Sequence, residues 1–363
     1  MTKDLGVGII GVDARRGWAR ESHVPAAQAI AGLKLVAVAN QSQEAADAAA
    51  EAVGADRAYG NPEDLIADAD VDIVTVAVPV PAHRDLIIAA LRAGKHVVTE
   101  WPIGSDTAQT EEIASVAAES GVHTAVDLQS RMNPVAVRAA ELIGSGLIGR
   151  VIRATVYSST MGWGRQVPEE ELYLEKPESG MNLTTIQTAH TVDFAIRLAG
   201  RLVSLAALTT VQYPELEVGA QKSPFHRVVA DHVLLQGRLA GGGALAVQVV
   251  GGEPADRTPF RMDVVGDAGT LTVEGGAPRG FQSGLLRLSL NGKPVEVDDV
   301  KTEALPSSVV NVAGVYAALR DDIASGTFTA PSFEHAVRLS HLIDDIRASA
   351  ADGRTATPTA DWP

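Results

Sequence analysis

The residue best suited to move a proton is His190, in Gln187-Thr188-Ala189-His190-Thr191-Val192-Asp193. A histidine can take the proton of a hydroxyl as hydride leaves its carbon, an effect worth typically ~10²–10⁴ in rate. On a helix His190 shares a face with Asp193, so a core histidine bonded to that acid is an equally simple reading. Lys176 lies in the polar loop Gln166 to Glu178 and is a second catalytic candidate, because burial makes a lysine usable in proton chemistry. Arg131, Trp163 and Asn182, with His190, are candidate substrate contacts. His83 follows Pro79-Val80-Pro81-Ala82, where a helix-start residue bonding backbone is the simpler role. The nine histidines show no HxxxH pair or other close ligand spacing, so no metal is expected.

A literal GxGxxG occurs at Gly6, Gly8 and Gly11, but Gly6 and Gly8 lie inside a strand-like apolar run. A phosphate-binding turn begins where the strand ends, which moves the candidate to Gly11 through Gly17. Gly11 permits a sharp turn. Asp13 stands where a second glycine would let the backbone approach a pyrophosphate, and Gly17 comes one residue late. An ordinary strand-to-helix turn is the competing reading. The second strand ends Ala39-Asn40-Gln41-Ser42, without the acid that would bind ribose hydroxyls. NAD and NADP therefore both stay admissible. The expected cofactor contacts are Gly11, Asp13, Gly17, Trp18, Asn40, Ser42, Pro79, His83, Glu100, Trp101 and Gln129.

These residues need a scaffold. In the first third, Val- and Ile-rich runs (Val7 to Val12, Leu33 to Ala39, Ile73 to Val78, His96 to Thr99, His123 to Val126) alternate with Ala-rich helical segments. That pattern predicts a parallel sheet covered on both faces. Asn61 is expected to cap a helix beginning at Pro62. After Gly149 the strands lengthen and alternate, with hairpin turns at Gly241-Gly242-Gly243, Asp267-Ala268-Gly269 and Asn291-Gly292. Two helices, near Val309 to Ser325 and Ser332 to Ala350, close the pattern. The expected fold is α/β: an N-terminal Rossmann domain with a doubly wound parallel sheet (1–129), then an α+β domain with a large, mostly antiparallel open sheet (130–353), then a loose tail (354–363).

The 363 residues include no cysteine, which excludes disulfides and thiolate chemistry. A formal net charge of -15 disfavours nucleic acid and anionic membrane as partners. The apolar N-terminal run is too short for a signal peptide, so a cytoplasmic location is expected.

Taken together, Val7 to Gly11, Pro79 to His83, Ala93 to Pro102 (AGKHVVTEWP), Arg131 to Pro134, Gly146 to Gly149 and His190 to Asp193 resemble the Gfo/Idh/MocA oxidoreductase family along essentially the whole chain. Gly17-Trp18, Glu100-Trp101, Gly162-Trp163, Asp231 to Gly237 and Gly266 to Gly275 are similar to its galactose-regulon repressor-like subgroup. The resemblance implies NAD or NADP as cofactor, a sugar or polyol as substrate, and a homodimer or homotetramer built on the sheet's exposed face. It also implies that active members use a lysine after the motif glutamate, an aspartate and a histidine. Those positions here read Trp101, Ile186 and His190. An indole has one N–H and no cation, though it can stack on a nicotinamide or a sugar. Three functions follow as alternatives: a hydride-transferring oxidoreductase, to which family frequency inclines the reading; a catalytically silent dinucleotide-binding sensor that contacts a regulatory protein; and a carbohydrate-binding module.

Overall fold

The apolar runs of the first third pair in parallel, because strands rich in Val and Ile on both faces need cover on both sides. The computed structural model describes residues 4–297, 305–360 and 362. Its first unit holds β1 (Leu5–Ile10), β2 (Leu33–Ala39), β3 (Arg57–Tyr59), β4 (Ile73–Val76), β5 (His96–Glu100) and β6 (Thr124–Asp127). The sheet order is β3-β2-β1-β4-β5-β6, the doubly wound order whose direction reverses at β1. Between the strands run α1 (Val24–Ala29), α2 (Gln43–Val53), α3 (Pro62–Ala67), α4 (His83–Arg92) and α5 (Thr107–Ser120). As expected, Asn61 caps α3 by accepting from the Glu63 amide at 3.1 Å. The interior glycines of β1 serve packing: a Cβ on Gly8 would lie 2.7 Å from the Leu65 side chain, and one on Gly6 would strike the Asp70 carbonyl.

The second unit is built on an eight-stranded mixed sheet. After α6 (Pro134–Gly144) come β7 (Val151–Ser159), the short β8 (Gln166–Val167) and α7 (Ala189–Ala199). Then follow β9 (Leu202–Thr210), β10 (Glu215–Val218), β11 (Ser223–His226), β12 (His232–Leu239), β13 (Ala244–Val250), β14 (Phe260–Gly266), β15 (Thr270–Gly275), β16 (Leu286–Leu290) and β17 (Lys293–Val295). The order is β17-β16-β15-β14-β7-β13-β12-β9, antiparallel except for the β7–β13 pair. All three expected hairpin turns lie between antiparallel neighbours. At the last, Asn291 and Gly292 take φ of 53° and 73°, the left-handed pair that a two-residue turn requires. A separate small sheet, β11-β10-β8, was not anticipated from sequence.

One face of the large sheet is covered by α7. Thr191 Oγ1 meets Ser158 Oγ at 3.0 Å, and Phe194 packs edge-on against Phe260 and Phe281 at 5.6 and 5.3 Å. Such ring pairs add ~0.5–1.5 kcal/mol each beyond burial. The other face alternates outward along β9 and β12, where Leu208 and Leu234 are exposed.

Two domain boundaries need correction. The last helices are α8 (Ser307–Ser325) and α9 (Phe333–Asp352), but residues 305–337 group with the N-terminal unit. The physical reason is visible in that segment. Tyr316 is buried against His23 and Thr75, and the Pro331 carbonyl accepts the Val126 amide at 2.8 Å. The tail is not loose either: Ala356 pairs with Leu205 as a β-bridge, and the Thr359 amide donates to Asp345 at 2.8 Å. Residues 361 and 363 of that tail lie outside the described residues. Among the described residues, no helix is long and apolar enough to cross a membrane.

Candidate functional site

Ligands of doubly wound sheets bind beyond the carboxyl ends of the strands, at the point where strand order reverses. In the first unit that point is the turn after β1. Gly11 has φ 102°, and any Cβ there would run into the Ala77 carbonyl, so only glycine fits. Asp13 does what the sequence did not suggest. Its Oδ1 accepts from the amides of Arg15 and Arg16 at 2.8 and 3.0 Å. The Arg15 amide above all, then that of Arg16, holds the carboxyl below its ordinary pKa. Gly17, at φ 99°, faces open space, and Trp18 leads into a π-helical turn, Ala19–His23.

Like Asp13, three more of the expected cofactor contacts, Ser42, Asn40 and His83, are engaged in local structure. Ser42 caps α2 by accepting the Ala45 amide at 3.2 Å, and Asn40 Nδ2 donates to the Val12 carbonyl at 2.9 Å. Asn40 thereby ties the ends of β1 and β2 together. His83 does bond backbone. Its two ring nitrogens face the Pro102 carbonyl at 3.0 Å and the Val78 carbonyl at 2.7 Å. It thus links the end of β4, just before Pro79, to the Glu100-Trp101-Pro102 segment, and burial pushes its pKa down. Trp101 itself is buried, at 5% exposure.

The sequence reading named Glu100 but missed the cluster it forms with His23 and Asp127. Glu100 ends β5 and Asp127 ends β6, and His23 reaches both from the turn after β1. His23 Nε2 contacts Glu100 directly and lies 3.8 Å from Asp127. His23 Nδ1 meets the Tyr316 hydroxyl at 3.1 Å, and that hydroxyl meets Thr75 Oγ1 at 2.7 Å. These side-chain atoms lie close together at the strand ends, and His23 and Glu100 are in direct contact. Burial alone would lower the His23 pKa; Glu100 and then Asp127 outweigh it, and the net shift is upward. Asp127 is pushed up to about 8, by burial first and by the Glu100 charge second; His23 and the Trp18 indole offset this in part. A faint signal was present: HVVTE and TAVD, buried strands that each end in an acid, invite suspicion, since a strand's carboxyl end is where ligands sit.

Asp127 binds its proton more tightly folded than unfolded. Its contribution to stability is therefore full below the unfolded value of 3.8 and is lost as pH rises toward about 8. Asp127→Asn is expected to raise stability at pH 8 by at least ~1 kcal/mol and to leave it unchanged near pH 4. Urea melts at the two pH values measure the difference; equal gains at both would contradict the assignment.

The residues fit a dinucleotide. Neither Asp127 oxygen, nor Gln129 Oε1, has a hydrogen-bond partner of good geometry, and all are buried at the carboxyl end of β6. Gly11 supplies the sharp turn at the reversal point. Asp13 is the feature that departs from the usual pattern.

In the second unit His190 is buried at 4% exposure on α7, whose residues are buried around nearly the whole helix. Asp193 pairs with Arg131 at 2.7 Å. Arg131, expected to touch substrate, spends a guanidinium nitrogen on that pair. Asn182 accepts the Thr184 and Thr185 amides at 3.0 and 3.1 Å and caps the turn that carries Ile186. Trp163 adopts φ 58° and its indole nitrogen is buried without a hydrogen-bond partner. Lys176 is exposed and lacks the burial on which its use in proton chemistry rested. Its neighbour Glu175 is the buried charge of that loop, paired with Arg227 at 2.6 Å.

Comparison with known proteins agrees with this division. The family model described as an oxidoreductase family with an NAD-binding Rossmann fold (GFO_IDH_MocA) matches residues 5–128. A second, described as the Gal80p C-terminal domain, matches residues 134–275. The chain is 28% identical to the dehydrogenase aclE of Aspergillus oryzae, over 98% of each protein. It is 27% identical to the galactose/lactose metabolism regulatory protein GAL80 of Saccharomyces cerevisiae, over 75% of this chain and 67% of that one. A solved levoglucosan dehydrogenase, in complex with NADH and L-sorbose, shares the fold with a TM-score of 0.84 at 19% identity, over 99% of this chain and all (100%) of that one. NAD(P) is thus the cofactor for which the fold of the first unit is built. The chain has a Gfo/Idh/MocA-type Rossmann oxidoreductase fold, closely related to that of the fungal GAL80 regulators.

Proposed function

We propose that the chain is an NAD(P)-binding sensor without turnover of its own, whose output is contact with a regulatory protein partner. One observation carries the reading. The position of the family's catalytic lysine holds a buried tryptophan, Trp101, and the position of its aspartate holds Ile186. Neither side chain can donate or accept a proton in a hydride transfer. The dinucleotide turn and the strand ends are meanwhile kept. Trp101 offers a flat face suited to stacking on a nicotinamide or on a sugar ring.

The enzyme reading, with a sugar or polyol as substrate and His190 as acid–base, has one specific observation in its favour: aclE, called a dehydrogenase, matches from end to end. A single experiment separates the two. Each oxidised and reduced nicotinamide nucleotide is titrated against tryptophan fluorescence and melting temperature, and the same samples are then given a panel of sugars and polyols. Binding without sustained change in reduced-nicotinamide absorbance supports the sensor. Turnover that His190→Ala abolishes establishes the enzyme in its place.

The uncovered face of the large sheet is proposed as a homodimer interface. Leu208 and Leu234 stand exposed at 51% and 44% on neighbouring strands β9 and β12. An open apolar patch on a sheet face marks an association site. Leu234→Asp is expected to convert a dimer to monomer in sedimentation velocity at micromolar concentration; an unchanged sedimentation coefficient would refute this interface.

A further inference from the structure

Resting on the proposed dinucleotide binding, we infer that the His23–Glu100–Asp127 cluster lets the protein tell the oxidised from the reduced nicotinamide, by giving up a proton when the cationic ring binds. The two halves of a doubly wound sheet each take one mononucleotide, and the nicotinamide half lies over the strands beyond the reversal, here β4, β5 and β6. Glu100 and Asp127 are the last residues of β5 and β6. The cluster therefore stands under the end of the cofactor whose charge changes on reduction.

The charges can be followed group by group. His23 comes from the turn after β1, Glu100 from β5, Asp127 from β6 and the Tyr316 hydroxyl from α8. His83, at the start of α4, is the further titratable group that feels Glu100, and the Trp18 indole bears on Asp127 as a neutral donor. With His23 protonated, Glu100 ionised and Asp127 holding its proton, the cluster is neutral. The raised Asp127 value near 8 makes that the state at neutral pH. A cation placed above the cluster favours a net negative charge, so the proton leaves Asp127 for solvent, past Glu100, whose side chain is 23% exposed. The reduced ring is neutral and makes no such demand. No bond other than O–H is broken, and nothing is oxidised.

Linkage turns this into a measurable slope. If binding releases a proton, affinity rises with pH until the free site has already lost that proton. Calorimetric titrations with the oxidised and reduced forms of the same nucleotide, between about pH 6 and 9, make the comparison, because the nucleotide's own phosphates titrate alike in both. Between about pH 6.5 and 8.5 the oxidised form is expected to tighten by up to about tenfold and the reduced form to stay nearly flat. Two buffers of different ionisation enthalpy should report up to about one proton released with the oxidised form alone. Asp127→Asn should bind both forms with equal, flat profiles. Equal slopes for the two forms in the unmodified protein overturn this inference and leave dinucleotide binding standing. Absence of binding by either form at every pH overturns the underlying reading as well.

Discussion

Arg227→Ala is expected to cost ~3–5 kcal/mol of the second unit's stability, the range for removing one partner of a buried ion pair. The guanidinium is 1% exposed and makes every bond its fork allows. Nε and Nη2 hold the two oxygens of Glu175 at 2.7 and 2.6 Å. Nη1 reaches the Trp163 carbonyl at 2.6 Å and Asp231 at 3.3 Å, and Nη2 reaches the Gly164 carbonyl at 2.9 Å. Alanine would leave Glu175 buried with its charge uncompensated. Asp231 would be left less exposed to harm, since the Gln212 and Tyr213 amides also donate to it at 2.8 Å. Arg227→Lys should rescue little, because one ammonium cannot span two carboxylates and two carbonyls. Arg227→Met combined with Glu175→Gln should recover part of the loss, since it removes the stranded charge. Urea melts of the three variants decide the matter. A loss below ~1 kcal/mol for Arg227→Ala would show that the network is not what ties the Trp163 to Lys176 segment to the strand before β12.

That network also shows where sequence reading stops. The doubly wound sheet was legible because its evidence is periodic: buried Val- and Ile-rich runs, caps such as Asn61, and hairpin pairs such as Asn291-Gly292 are local features. The sharp turn at Gly11, beyond the strand that holds Gly6 and Gly8, was legible for the same reason, and the packing of Gly8 against Leu65 agrees with it. Partnerships across long separations were not. Arg227 lies 52 residues from Glu175, and His23 lies 77 from Glu100 and 293 from Tyr316. No spacing rule joins such residues until strand order is known. That α8 belongs with the first unit was missed on the same ground. Position in the chain suggested the second domain, whereas the hydroxyl of Tyr316 is needed at the carboxyl edge of the first. Of the candidate site residues, those defined by backbone, such as Gly11, kept the geometry expected of them. Those chosen by side-chain type, such as Arg131, Asn182 and Lys176, are engaged in ion pairing or capping, or stand in solvent.

Removing the Asp13 carboxylate is expected to strengthen dinucleotide binding, not weaken it. In this turn the carboxylate takes the Arg15 and Arg16 amides, so it occupies donors that an incoming pyrophosphate would use. It also sets a negative charge near two more. A unit charge about 6 Å away contributes on the order of 1–3 kcal/mol of repulsion at effective dielectric constants between those of a protein surface and water. Asp13→Asn removes the charge and keeps an oxygen able to accept the amides. Asp13→Ala removes both. Asp13→Asn should therefore tighten binding about tenfold, equivalent to ~1.4 kcal/mol, and Asp13→Ala by more. Both gains should shrink as salt rises from about 0.05 to 0.5 M, because the site is exposed and its charges are screened. The competing role for Asp13 is to hold the turn open for the cofactor through those same two bonds. In that case the order inverts: asparagine would be harmless and alanine would loosen binding. Titrations of the two variants at two salt concentrations distinguish a carboxylate that stands in for phosphate from one that shapes the loop around it.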